Sequence, residues 1–185
     1  VRLNGLKGTC EENAFDTLRL NDRKITVIPA FDVIRSYEGC EQPYYVFQNS
    51  TINGEVFIWD FGDGVKSTDV NPKHQYNKPG LYDVKLDAFK QGCLETKIQK
   101  LRVNEFSVPN LLTINDDEKN DVFIINGLEE GWVLEIFNRW GKNVYQTNSY
   151  KNDWKPDSLS AGVYFYNIRF PGNYHCNGWV EVVKK

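Results

Sequence analysis

The sequence predicts an all-β protein. Apolar residues recur in short alternating runs, glycine and proline punctuate the gaps, and no apolar stripe of helical period occurs. The 185 residues include 14 glycines and 7 prolines, which supply the turns such a fold needs. That length accommodates one large or two small domains, and a composition 41% hydrophobic and 14% aromatic is enough for packed cores. A net charge of −3 leaves no electrostatic footprint for nucleic acid. No apolar run approaches the length of a membrane span. Methionine is absent and the chain opens at Val1 with no leader, as expected of a piece or a mature form of a longer protein.

An internal repeat organises the first half. Val1-Arg2-Leu3-Asn4-Gly5-Leu6-Lys7-Gly8-Thr9-Cys10 lies over Val84-Lys85-Leu86-Asp87-Ala88-Phe89-Lys90-Gln91-Gly92-Cys93, an offset matching one small β-sandwich. Each copy leads to a β-rich exit, Lys24-Ile25-Thr26-Val27 in the first and Leu101-Arg102-Val103 in the second. Residues 1–28 therefore read as the last strands of a preceding repeat, too few to bury a face alone.

The middle segment, 29–104, carries Phe57-Ile58-Trp59-Asp60-Phe61-Gly62-Asp63-Gly64, then Asn71-Pro72-Lys73-His74-Gln75-Tyr76 and Pro79-Gly80-Leu81-Tyr82-Asp83. Val84, Leu86 and Ala88 alternate with Lys85 and Asp87, the pattern of a half-buried strand. These motifs resemble the PKD domain, which implies an immunoglobulin-like sandwich. Asp60 and Asp63 are expected to cap turns, and His74 to be a turn residue that hydrogen-bonds the backbone.

Residues 105–185 repeat the β grammar. Val122-Phe123-Ile124-Ile125 reads as a strand. Leu134 and Ile136 alternate with Glu135 and Phe137, and Asn138-Arg139-Trp140-Gly141 turns the chain into Val144-Tyr145 as a hairpin. Val163-Tyr164-Phe165-Tyr166-Asn167-Ile168 and Trp179-Val180-Glu181-Val182-Val183 close the set. The order VPNLLTINDDEKNDVF, LEIFNRWGKNVYQ, SAGVYFYNI, NGWVEVVK resembles the type B C-terminal sorting domain of the type IX secretion system. The predicted architecture is thus tandem immunoglobulin-like β-sandwiches, a PKD-like one followed by a sorting-domain one.

The resemblance implies export across a bacterial outer membrane and surface retention. It implies as partners an outer-membrane β-barrel protein and the translocon, and a parent protein of the gliding-adhesin kind with PKD-like spacers. Residues 105–185 are expected to suffice for export. The expected recognition surface is Asn138, Arg139, Trp140 and Gly141, since an arginine beside a large aromatic suits a desolvated anchor. Tyr164 and Tyr166 share a strand face opposite Phe165, and the two tyrosines are taken as a further partner surface. The rival reading is a carbohydrate-binding or spacer module of a secreted polysaccharide hydrolase, with the aromatics stacking on surface polysaccharide.

The sequence carries no Gly-x-Ser-x-Gly, His-Glu-x-x-His or phosphate loop, and the expectation is a non-enzymatic chain. Asn115, Asp117 and Asp121 have spacing suited to calcium, with Lys119 offering its carbonyl; the alternative is a solvated acidic turn. Ile114, Asp116 and Glu118 stand where the sorting-domain pattern has proline and two glycines. His175 beside Cys176 offers two metal ligands at most. Four cysteines in an exported chain suggest disulfides. The repeat and the sandwich resemblance imply Cys40–Cys93. Cys10 and Cys176 are then left over, either paired or free.

Overall fold

The computed structural model describes residues 26–115, 117–172 and 174–184, and the predicted stub 1–28 lies almost wholly outside them. The all-β prediction holds: among the described residues there are twelve strands and no helix. By internal contacts the chain divides into two units. The first holds, among the described residues, 26–34, 45–74 and 80–102; the second holds 35–44, 75–79 and 103–184.

In the first half run β1 (Phe31–Ser36), β2 (Tyr44–Asn49), β3 (Val56–Asp60), β4 (Lys66–Ser67), β5 (Lys73–Gln75), β6 (Gly80–Lys90) and β7 (Cys93–Val103). They form a three-stranded sheet β1-β2-β5 and a four-stranded sheet β4-β3-β6-β7. The alternation read in β6 is real: Val84, Leu86 and Ala88 are fully buried. Trp59 packs edge-on to Phe31 at 5.0 Å and against Phe47 at 5.6 Å, and its indole N–H donates to the Asp69 carbonyl at 3.0 Å. The two aspartates cap turns as expected. Asp60 accepts the Gly62 N–H at 3.0 Å, and that bond is the main cause holding its carboxyl below the usual range. Asp63 accepts the Val65 N–H at 3.1 Å. Its other oxygen meets His74 Nε2 at 2.7 Å, and the imidazole stacks on Phe61 at 4.2 Å.

The second unit is one five-stranded sheet built from β8 (Leu111–Ile114), β9 (Val133–Asn138), β10 (Asn143–Thr147), β11 (Gly162–Phe170) and β12 (Tyr174–Lys184). The order is β10-β9-β11-β12-β8, with only β8 parallel to its neighbour among the registered pairs. Its buried face carries Leu134, Ile136, Tyr164, Tyr166, Ile168, Phe170, Cys176, Val180 and Val182. Among the described residues, the layer covering that face is irregular chain and not a second sheet. The strand predicted at Val122–Ile125 does not form; Phe123 and Ile125 are buried in irregular chain instead. Hydrogen bonds to residues 27 or more positions later replace the ladder there. Phe123 N–H donates to the Trp154 carbonyl at 3.0 Å, the Tyr150 hydroxyl donates to the Phe123 carbonyl, and Ile125 N–H donates to Asn152 Oδ1 at 2.8 Å.

The cover is completed by 35–44, which joins this unit although it runs from the end of β1 to the start of β2. The Tyr37 ring stacks on Phe170 at 4.4 Å and meets Trp132 edge-on at 5.5 Å and Phe106 at 5.7 Å. Arg35 pairs with Glu129, and its guanidinium lies 4.9 Å from the Tyr37 ring centre. Gln42 donates to the Phe106 carbonyl at 2.8 Å.

This segment also corrects the predicted disulfide. Cys40 is bonded to Cys176, across a sequence separation of 136, and not to Cys93. Cys93 starts β7 and is buried with Val27 and Ala88 in the first unit, whereas Cys40 has left β1 for the second. Cys93 is itself disulfide-bonded, and no described cysteine is free. The expectations about Cys10 lie outside the described residues. The His175-Cys176 metal pair is excluded too, because Cys176 is committed to a disulfide and alternation puts His175 on the opposite face of β12.

Two outcomes follow from this packing. A cross-link closing so long a loop stabilises by up to about 5 kcal/mol on the chain-entropy account. Cys40→Ser should therefore lower the melting temperature of the C-terminal unit by up to roughly 20 °C. Non-reducing peptide mapping should recover a Cys40–Cys176 peptide; a Cys40–Cys93 peptide would refute the assignment. Burial pushes the Tyr145 phenol up to about 12, reinforced by its hydrogen bond to Asp153, and burial raises Tyr150 and Tyr166 as well. A phenol raised above its unfolded value contributes stability that is fully present below the unfolded value of 10.0 and is lost as pH rises towards 12. Melting temperature should thus start to fall above about pH 10, and Tyr145→Phe should blunt that fall.

Candidate recognition hairpin and groove

The β9–β10 hairpin separates shape from display. Gly141 N–H donates to the Asn138 carbonyl at 2.9 Å, closing a four-residue turn. Asn138 Oδ1 accepts the N–H of both Trp140 and Lys142 at 3.0 Å, an asparagine bonded to the backbone beyond it. Gly141 sits at φ +76°, a left-handed position that glycine occupies without cost, and the register shifts after it between Asn143 and Tyr145. Asn138 and Gly141 therefore build the turn. Arg139 and Trp140 project from it: Trp140 is 76% exposed, and the Arg139 guanidinium lies 4.6 Å from the centre of its ring.

Beside the tip lies a groove of about 280 Å3 lined by Arg139, Trp140, Lys142, Ser158, Ser160 and Val163, among others. Of the residues expected to bind a partner, the structure gathers Asn138, Arg139, Trp140 and Tyr164 here. Tyr164 contributes little surface, being 7% exposed, and its hydroxyl donates to the Ser160 carbonyl at 2.8 Å, pinning the loop that forms the far wall. Tyr166, at 8% exposed, belongs to the core, 5.3 Å from Phe123. The reading of the tyrosine face as a partner surface is thus inverted. Gly178 opposite leaves the space the Tyr166 ring occupies, since a Cβ there would meet its hydroxyl at 2.3 Å.

The outward aromatic is Phe165, 48% exposed, in register with Phe137 on β9 and Trp179 on β12. Directly opposed residues share a sheet face, so these three rings form a row across the outer side. The sequence left the choice of face open. The signal that resolves it is the flanking Ile168 and Phe170, which follow the tyrosines' parity into the core.

The predicted calcium ligands of the acidic loop are hydrogen-bonded within the loop itself. Asp121 is buried, and its oxygens accept the N–H of Asn115 at 3.1 Å and of Glu118 at 2.9 Å. Asp117 accepts the Lys119 N–H at 2.9 Å and the Asn115 side-chain amide at 2.8 Å. The Lys119 carbonyl accepts the Thr113 hydroxyl at 3.2 Å. Among the described residues no three His, Cys, Asp or Glu side chains converge. The loop carries two left-handed residues where glycine is absent, Glu118 at φ +65° and Asn120 at φ +56°, and the buried carboxylate holds them.

These placements separate display from support. Arg139→Ala and Trp140→Ala should each leave the melting temperature within a few degrees of the parent, since neither side chain fills a core. Tyr166→Ala should cost about 3–5 kcal/mol, as for a buried aromatic. Thermal denaturation of the three proteins distinguishes these outcomes; an unfolded Trp140→Ala protein would make the hairpin structural.

Residues 30–103 match the PKD domain model, and residues 106–182 match the CHU_C Type IX secretion signal domain model. The chain is 39% identical over 74 residues, or 38% of its length, to collagenase ColA of Clostridium perfringens, and 43% identical over 84 residues, or 44% of its length, to collagenase ColA of Bacillus cereus. It spans only 6% and 8% of the length of those collagenases. Among solved structures, the PKD1 domain of Vibrio anguillarum Epp aligns with 25% identity over 40% of this chain and 92% of that domain, at a TM-score of 0.34. The chain is a PKD domain followed by a type IX secretion signal domain, whose presence implies export across the outer membrane to the cell surface or beyond.

Proposed function

We propose that the C-terminal unit is recognised at the outer membrane by a β-barrel partner protein through Arg139 and Trp140, and that the chain is the surface-retained end of a large, non-enzymatic adhesin of gliding motility. The PKD unit serves as a rigid spacer. The observation that carries the reading is the exposed Trp140 with Arg139 against its ring. An aromatic that fills no core, on a turn already shaped by Asn138 and Gly141, costs solubility and suits an interface anchor. A second reading, a spacer in a secreted hydrolase, is favoured by the identity to collagenase segments. Collagen hydrolysis by the native full-length protein would select it.

The test is export of a fluorescent reporter bearing a signal peptide and residues 1–185, in a host whose type IX system is active on another cargo. Reporter should reach the surface, and Trp140→Ala should trap at least about tenfold more in the periplasm. Normal export of a folded Trp140→Ala reporter would overturn recognition at the hairpin. Residues 105–185 alone lack Tyr37 and Cys40, which the C-terminal unit uses to close its core. That shorter reporter should be exported less, in contrast to the sequence expectation.

A further inference from the structure

We propose that the groove beside Trp140 docks an acidic polypeptide segment, with a side-chain carboxylate held between Arg139 and Lys142 and its apolar neighbours against Trp140 and Val163. This deepens the recognition reading and rests on it for the identity of the partner. The groove lining contains both of these cations and no aspartate or glutamate, in a chain where acidic residues outnumber basic ones 25 to 22. Neither cation is ion-paired among the described residues. Asp157, the acidic residue next to the far wall in sequence, is paired with Lys155 at 3.5 Å.

The Arg139–Trp140 contact prepares the site. A guanidinium over an aromatic ring uses its face and keeps its in-plane N–H donors, the fork that matches a carboxylate. The contact also restricts the arginine rotamers before any ligand arrives, which lowers the entropic cost of binding. The remaining wall is mixed: Ser158 and Ser160 alternate with Leu159 and Ala161, facing Val144 and Val163. A peptide presents carboxylate and hydrocarbon together at this spacing. An anionic glycolipid headgroup would set hydroxyls against the apolar wall.

The full chain, labelled with 15N, would be titrated with acetyl-Leu-Asp-Leu-amide, with acetyl-Leu-Asn-Leu-amide and with lipopolysaccharide micelles. The aspartate peptide should shift amide signals of 138–144 and 158–164, and bind about tenfold or more tighter than the asparagine peptide, the worth of one charge-assisted contact. Arg139→Gln and Lys142→Gln, checked for an unchanged melt, should each remove most of that preference. Equal binding of the two peptides, no binding of either, shifts elsewhere, or a response to lipopolysaccharide alone would each overturn the proposal. Export separates the two readings. Normal export without peptide binding sinks only the groove assignment, and failed export with intact peptide binding sinks only the sorting role.

Discussion

One sheet face in the C-terminal unit has too much aromatic surface to leave uncovered, and among the described residues irregular chain, not a second sheet, covers it. Phe170, Tyr166, Ile168 and Leu134 present a continuous apolar face, and Trp132, Phe106 and Phe123 pack on it from irregular chain. Tyr37 closes the remaining gap by stacking on Phe170, and Cys40 fixes that closure through Cys176. Each aromatic contact of this kind contributes about 0.5–1.5 kcal/mol beyond the area it buries. Tyr37 makes three of them at once, so the unit depends on a residue more than 70 positions upstream of β8.

Irregular chain over a core must satisfy its backbone by other means, and this unit does so with side chains. Asn152, at φ +57°, exchanges two hydrogen bonds with Ile125, and the Tyr150 hydroxyl serves both the Phe123 carbonyl and the Trp154 N–H. Asp121 does the same for the acidic loop. Asp121, a candidate ligand in the sequence, thus holds the backbone of its own loop. An unpartnered buried N–H costs about 1–3 kcal/mol, which sets the scale of what these side chains prevent.

The hairpin tip is organised on the opposite principle. Its fold-determining residues, Asn138 and Gly141, spend their bonding on the turn, while Arg139 and Trp140 contribute nothing to the core. The outer aromatic row of Phe137, Phe165 and Trp179 belongs to the same sheet. Val163, two residues along the β11 face from Phe165, also lines the groove, so exposed apolar surface runs from the row towards the tip.

The sequence by itself determined what depends on local pattern. Alternation in Val84–Ala88 and Leu134–Phe137, the turn chemistry of Asp60, Asp63 and Asn138-Gly141, and the motif order along the chain are all written within a few residues of each other. The tertiary structure decided what depends on distant partners. Which face of Val163–Phe165 points inward follows from Ile168, Phe170 and Gly178, because a strand's two faces are distinguished only by what packs on them. Val122–Ile125 reads as a strand, yet its backbone bonds go to Trp154 and Asn152. The partner of Cys40 was not legible, since the repeat equates cysteines within one sandwich while residues 35–44 close another core. A disulfide joins whichever cysteines the packing brings within bonding distance, and here that packing is the stacking of Tyr37 on Phe170.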